Sequence, residues 1–73
     1  MTLSFTALVH REGDWYVALC PELDVASQGR SFEDARANLA EAVTLLLECS
    51  PPEEIEARSH LDTWVTRVEV EVG

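Results

Sequence analysis

Seventy-three residues make one small domain with a single core. Fourteen acids against five bases leave a formal net charge of −9. That balance argues against nucleic acid, whose affinity comes largely from Lys and Arg neutralising phosphates, and equally against anionic membranes. A basic protein partner fits it, as does plain solubility. Hydrophobic residues make up 47% of the chain, enough to fold, yet so small a domain is only marginally stabilised. Self-association into a homodimer or higher oligomer is then an economical way to hide apolar surface. Only two cysteines occur, no stretch reads as a secretory signal, and the apolar run at 43–47 is far too short to cross a bilayer. A soluble cytoplasmic protein is the expectation.

Residues 3–10 alternate, with Leu3, Phe5, Ala7 and Val9 on one face, and predict a first strand. The polar stretch 10–14 contains Gly13 and suits a hairpin loop of four or five residues. Residues 15–20 predict a second strand that is apolar or amphipathic on both faces, and therefore central and covered twice. Trp15, Val17 and Leu19 occupy one of its faces and Tyr16, Ala18 and Cys20 the other. Pro21 limits that strand, because it cannot donate a ladder hydrogen bond. Residues 25–28 predict a short third strand.

Ser31 then opens a helix. Its hydroxyl can accept from the amide of Asp34, whose carboxylate can reach back in a capping box. Glu33 and Asp34 also suit the positive end of the helix dipole. At 100° per residue Phe32, Ala35, Leu39, Ala42, Val43 and Leu46 share one face, with Asp34, Asn38, Glu41 and Glu48 opposite. Leu45 falls among those acids. Ser50-Pro51-Pro52 stops the helix. Residues 53–58 predict a helical turn or two anchored by Ile55.

The last strand, at 64–72, has the cleanest alternation in the chain. Trp64, Thr66, Val68, Val70 and Val72 point one way, and Val65, Arg67, Glu69 and Glu71 the other, as at a charged sheet edge. The whole predicts an α+β fold: a three- to four-stranded antiparallel sheet, β-β-β-α-β, with one main helix on one face. A single helix leaves the second sheet face bare. Tyr16, Ala18 and Cys20, with Leu8 beside them, are expected there, and that face or an edge is a candidate protein interface.

Cys20-Pro21-Glu22-Leu23, then Gln28-Gly29, then Ser31-x-Glu33-Asp34-Ala35, then Glu41-Ala42 resembles the signature of the HicB-like antitoxins. That family runs from a strand ending in P-D-L-P-G through a T-Q-G turn to a helix opening [ST]-x-E-E-A. Gly13-Asp14-Trp15-Tyr16-Val17 is similar to its turn and second strand, so the resemblance covers roughly residues 5–48. Where the family has Pro-Gly, this chain has Asp24-Val25, and the loop is expected to take another path. The resemblance implies a partial ribonuclease-H-like sheet; many full-length relatives carry a DNA-binding module after the helix, and here none is read, so a stand-alone N-terminal-type domain is expected. The resemblance also implies a role in masking a basic, mRNA-cleaving HicA-type toxin, with no cofactor and no catalysis. The alternative is an orphan HicB-like module that homo-oligomerises, for structure or to bind a small ligand. Exposure and charge nominate Glu22, Asp24, Asp34, Glu41 and Glu48 as partner contacts, with Tyr16 and Leu45 as apolar ones.

Catalytic and metal chemistry is poorly supported by the residues. His10, Cys20, Cys49 and His60 lack the C-x₂₋₄-C and H-x₃₋₅-H spacings of zinc sites. Both thiols read as small buried hydrophobes, and a Cys20–Cys49 disulfide runs against a reducing cytoplasm. Acids for a two-metal nuclease would have to converge, and Glu22, Asp24, Asp14, Glu69 and Glu71 are spread along the chain. Trp15 and Trp64 without a basic groove are better read as core or interface residues than as base-stacking platforms.

Overall fold

Two tight turns lay down the sheet. The computed structural model describes residues 3–59 and 62–73. In it β1 (Leu8–Glu12), β2 (Trp15–Cys20) and β3 (Val25–Gly29) form an antiparallel sheet in the order β1-β2-β3, so β2 is central as its sequence demands. Glu12 pairs with Trp15, so the hairpin loop is Gly13-Asp14, shorter than the expected four or five residues. Gly13 sits at φ 59 in the first loop position, where a two-residue hairpin asks for glycine, and pairing therefore runs to the end of the hairpin.

At its other end β1 starts at Leu8, five residues later than expected. The register Leu8↔Leu19 would bring Thr6 opposite Pro21, which has no amide proton, and the ladder stops. Thr6 bonds elsewhere: its amide and hydroxyl donate to the Glu22 carboxylate at 2.9 and 2.7 Å. Residues 21–24 form the second turn. Asp24 takes its left-handed place at φ 55, where the family pattern would put proline and only then glycine. Asp is among the residues that tolerate that conformation. The turn also drives Leu23 into the core, where it is 1% exposed.

The helix α1 (Phe32–Cys49) begins as its cap predicts. Ser31 accepts from the Asp34 amide at 3.1 Å, while the reciprocal half of the box does not form between these described residues. Gly29 explains how closely the helix lies on the sheet. A Cβ there would sit 2.6 Å from the Ala35 nitrogen and 2.7 Å from the Asp34 Cβ. Asp34 and Ala35, rather than Phe32, therefore meet the sheet, and Phe32 is half exposed instead of buried. Ala35, Leu39 and Val43 form the buried stripe, with Ala42, Leu46 and Leu47 partly covered. Ser50 caps the other end by donating its amide to Leu46. A short helix α2 (Pro52–Arg58) follows, with Pro52 in its first turn and Ile55 half-buried.

The inner and outer faces of β2 are the reverse of the expectation. Ala18 and Cys20 are fully buried under α1 beside Leu23, Ala35, Leu39 and Val43, and Tyr16 packs against that cluster. Paired residues share a face, so Val9, Ala18 and Ser27 lie inward together. Trp15, Val17 and Leu19 point outward with Leu8 and Ala26, and no described element covers them. Small Ala18 and Cys20 let the helix approach where Trp15 would hold it off.

The expected fourth strand does not form. Residues 64–72 take up no helix or strand and join no sheet, and Trp64 is 81% and Val72 91% exposed. A strand needs a neighbour, and among the described residues this segment has none. The sheet has three strands.

Candidate interaction surface

The solvent side of α1 carries the first part of the site. Asp34, Glu41 and Glu48 recur every seven residues, two turns of helix, and form one exposed stripe with Leu45 among them, 52% exposed. None of these carboxylates has an ion-pair partner among the described residues. This stripe brings together four of the seven residues nominated from the sequence.

The other three do not join it. Tyr16 is half-buried on the inner sheet face, against the core and away from the helix stripe. Asp24 is exposed at the turn and is already engaged by a neighbour. Glu22 is half-buried and holds the chain together. It receives both Thr6 bonds, and the Cys20 thiol lies 3.6 Å from its Oε1. Burial on its own would raise the Glu22 pKa, but the Thr6 hydroxyl and amide, its own amide and the thiol outweigh that and lower it. For Cys20 burial comes first and raises the pKa; the Glu22 charge and hydrogen bond push the same way, against opposing backbone bonds. Cys20 is thus held as an unreactive thiol. Cys49, expected inside, is exposed at the helix end, and both cysteines are free.

Among the described residues the one histidine and the buried cysteine stay apart. His10 faces outward, paired across from Val17 and bonded to Glu12 at 3.2 Å, whereas Cys20 is on the inner face. His60 lies outside the described residues. Among the described residues no three His, Cys, Asp or Glu side chains gather as metal ligands. No helix among them is long and apolar enough to cross a membrane.

Two apolar surfaces complete the picture. The first is the outer sheet face, where the Arg30 guanidinium stacks over Trp15 at 4.6 Å to the ring centre. Trp15 is 40% exposed and Trp64 more so, and neither tryptophan is a core residue. The second is an open groove of about 500 Å³ between residues 3–7 and α1, with Leu3, Phe5, Ala7, Leu39, Val43 and Leu47 in its walls. It exists because residues 3–7 run on past the end of β2 with the helix above them. Sequence patterning missed the Thr6–Glu22 bonds and the Asn38 amide that donates to the Gln28 carbonyl at 2.8 Å. The signal for the first was Pro21, which marks where strand pairing stops and so leaves the Thr6 amide and hydroxyl free to donate to Glu22.

No protein-family model matches the sequence, and no curated protein or solved structure matches it either.

Proposed function

We propose that this chain is an antitoxin-like protein of the HicB-like type, cytoplasmic and non-catalytic, that binds and masks a basic HicA-type toxin. The observation that carries the reading is the unpaired acidic stripe Asp34, Glu41 and Glu48 with Leu45 in its midst. Carboxylates without partners can occupy the basic face with which such a ribonuclease grips RNA, and they speed encounter with it. The motif order at residues 20–42 and the α+β architecture support the same reading. A small basic open reading frame beside the gene is its first expected companion. Co-expression with that neighbour should give a stable complex and rescue growth. Changing Glu41 and Glu48 together to Lys should weaken the complex at least about tenfold, with the loss growing as salt is lowered. Growth that is not rescued, or RNA hydrolysis by the purified chain that disappears on changing Glu22 and Asp24, overturns masking.

A second reading, an orphan module that works as a homo-oligomer, draws on the bare outer face formed by Leu8, Trp15, Val17 and Leu19. Apolar surface of that kind on so acidic a chain suits a second copy as well as a foreign partner.

A further inference from the structure

The best-patterned strand in the chain has no sheet, and the sheet has an unused edge. Beyond the side that pairs with β2, β1 has no strand neighbour among the described residues, and residues 3–7, which precede it, join no ladder among them either. Together residues 3–12 offer ten residues of edge, and residues 64–72 are nine residues of exposed, alternating chain outside any helix or sheet. The groove lies beside the first part of that edge, between residues 3–7 and α1, with Arg36 and Glu48 also bordering it. Its walls Leu3, Phe5, Ala7, Leu39, Val43 and Leu47 want an apolar strand face, and Trp64, Thr66, Val68, Val70 and Val72 form one.

We propose that residues 64–72 are a donated strand: each takes the free β1 edge of a second copy of this chain and lays its Trp64–Val68–Val70–Val72 face into that copy's groove. Main-chain hydrogen bonds would set the pairing and the groove would choose the face. Arg67, Glu69 and Glu71 then point to solvent from the new edge, where charges discourage further addition. The exchange is reciprocal, so a two-fold axis closes it at two chains.

Area favours a second copy as the occupant. The chain exposes 5974 Å², about 1,500 Å² more than a compactly folded chain of its mass. Two chains that hide this excess bury about 3,000 Å² in total, within the range of obligate dimers. Shape agrees: the radius of gyration is 14.3 Å, against about 11 Å for a compact chain of this length, and the long axis reaches 50 Å. The strand is held out from its own body. This assembly is largely separate from toxin masking: of the three acids in the α1 stripe only Glu48 borders the groove, while Asp34 and Glu41 lie outside it.

The test is sedimentation of the full chain at micromolar concentration, with hydrogen exchange at two concentrations. A dimer is expected, with amides of 65–72 and 3–8 protected more at the higher concentration. Added salt should tighten it, by screening two chains of charge −9; an acid–base complex with a toxin would loosen instead. Val68→Pro removes a strand amide at an exposed position and should weaken the dimer at least about a hundredfold, with helix content unchanged by circular dichroism. A dimer that survives Val68→Pro uses another surface and overturns the proposal. So does a monomer, whether its 65–72 amides exchange freely or are protected independently of concentration by folding back on their own chain. The exchange measurement needs no variant, so a misfolded Val68→Pro protein leaves the proposal testable.

Discussion

β2 and residues 64–72 are the two most strand-like stretches of this chain, and they end in opposite states. β2 is central, with Ala18 and Cys20 fully buried; residues 64–72 show the cleaner alternation yet stand exposed. The difference lies in what surrounds them in sequence. A two-residue loop delivers β1 to one side of β2 and a four-residue turn delivers β3 to the other, at small entropic cost. The last segment follows an 18-residue helix and α2, and any partner it takes is far away along the chain or on another chain. Alternation states that a strand wants a partner; nearby turns state which one.

That contrast can be broken at several points. The largest effect is expected at Leu23, the buried residue that the second turn drives inward. Leu23→Ala should cost about 3 kcal/mol in urea denaturation, and a loss under 1 kcal/mol would mean that the turn does not anchor the core. Gly29→Ala comes next, at about 2 kcal/mol, because the new Cβ would meet the Ala35 nitrogen and has no flexible side chain to displace. An unchanged midpoint would show that the helix can lift off the sheet freely.

Glu22→Gln should cost about 1 kcal/mol near neutral pH, through weaker bonds from Thr6. The folded carboxyl binds its proton less tightly than the unfolded one, so its stabilisation is full above the ordinary value of 4.5. It fades as the pH falls through the lower folded value. Denaturation curves of the two proteins should therefore converge in acid, and a gap that widened there would reverse the assignment. The smallest effect is expected in the exposed segment. With the chain dilute and single, Val70→Ser should shift stability by less than about 0.5 kcal/mol; a larger shift would mean that the segment already packs on its own chain.

Signals confined to a few neighbouring residues were legible in the sequence. Ser31 and Asp34 marked the helix start, Ser50-Pro51-Pro52 its end, and the hairpin and the central place of β2 followed from composition and Gly13. What depended on distant packing was hidden. A strand apolar on both faces does not say which one meets the helix, and small Ala18 and Cys20 took that place because α1 lies close. Tyr16 went with them, out of the candidate surface, whereas Asp34, Glu41, Leu45 and Glu48 stayed together because one helix holds all four. Glu22 read as a free acid; only the pairing register places beside it Thr6, whose amide and hydroxyl donate to it.

The unlike placement of the two thiols has a practical consequence. A maleimide dye should attach once to each native chain, at Cys49, and a second time only when the fold opens and uncovers Cys20. The rate of that second attachment is a clock for opening of the body, read without any introduced probe.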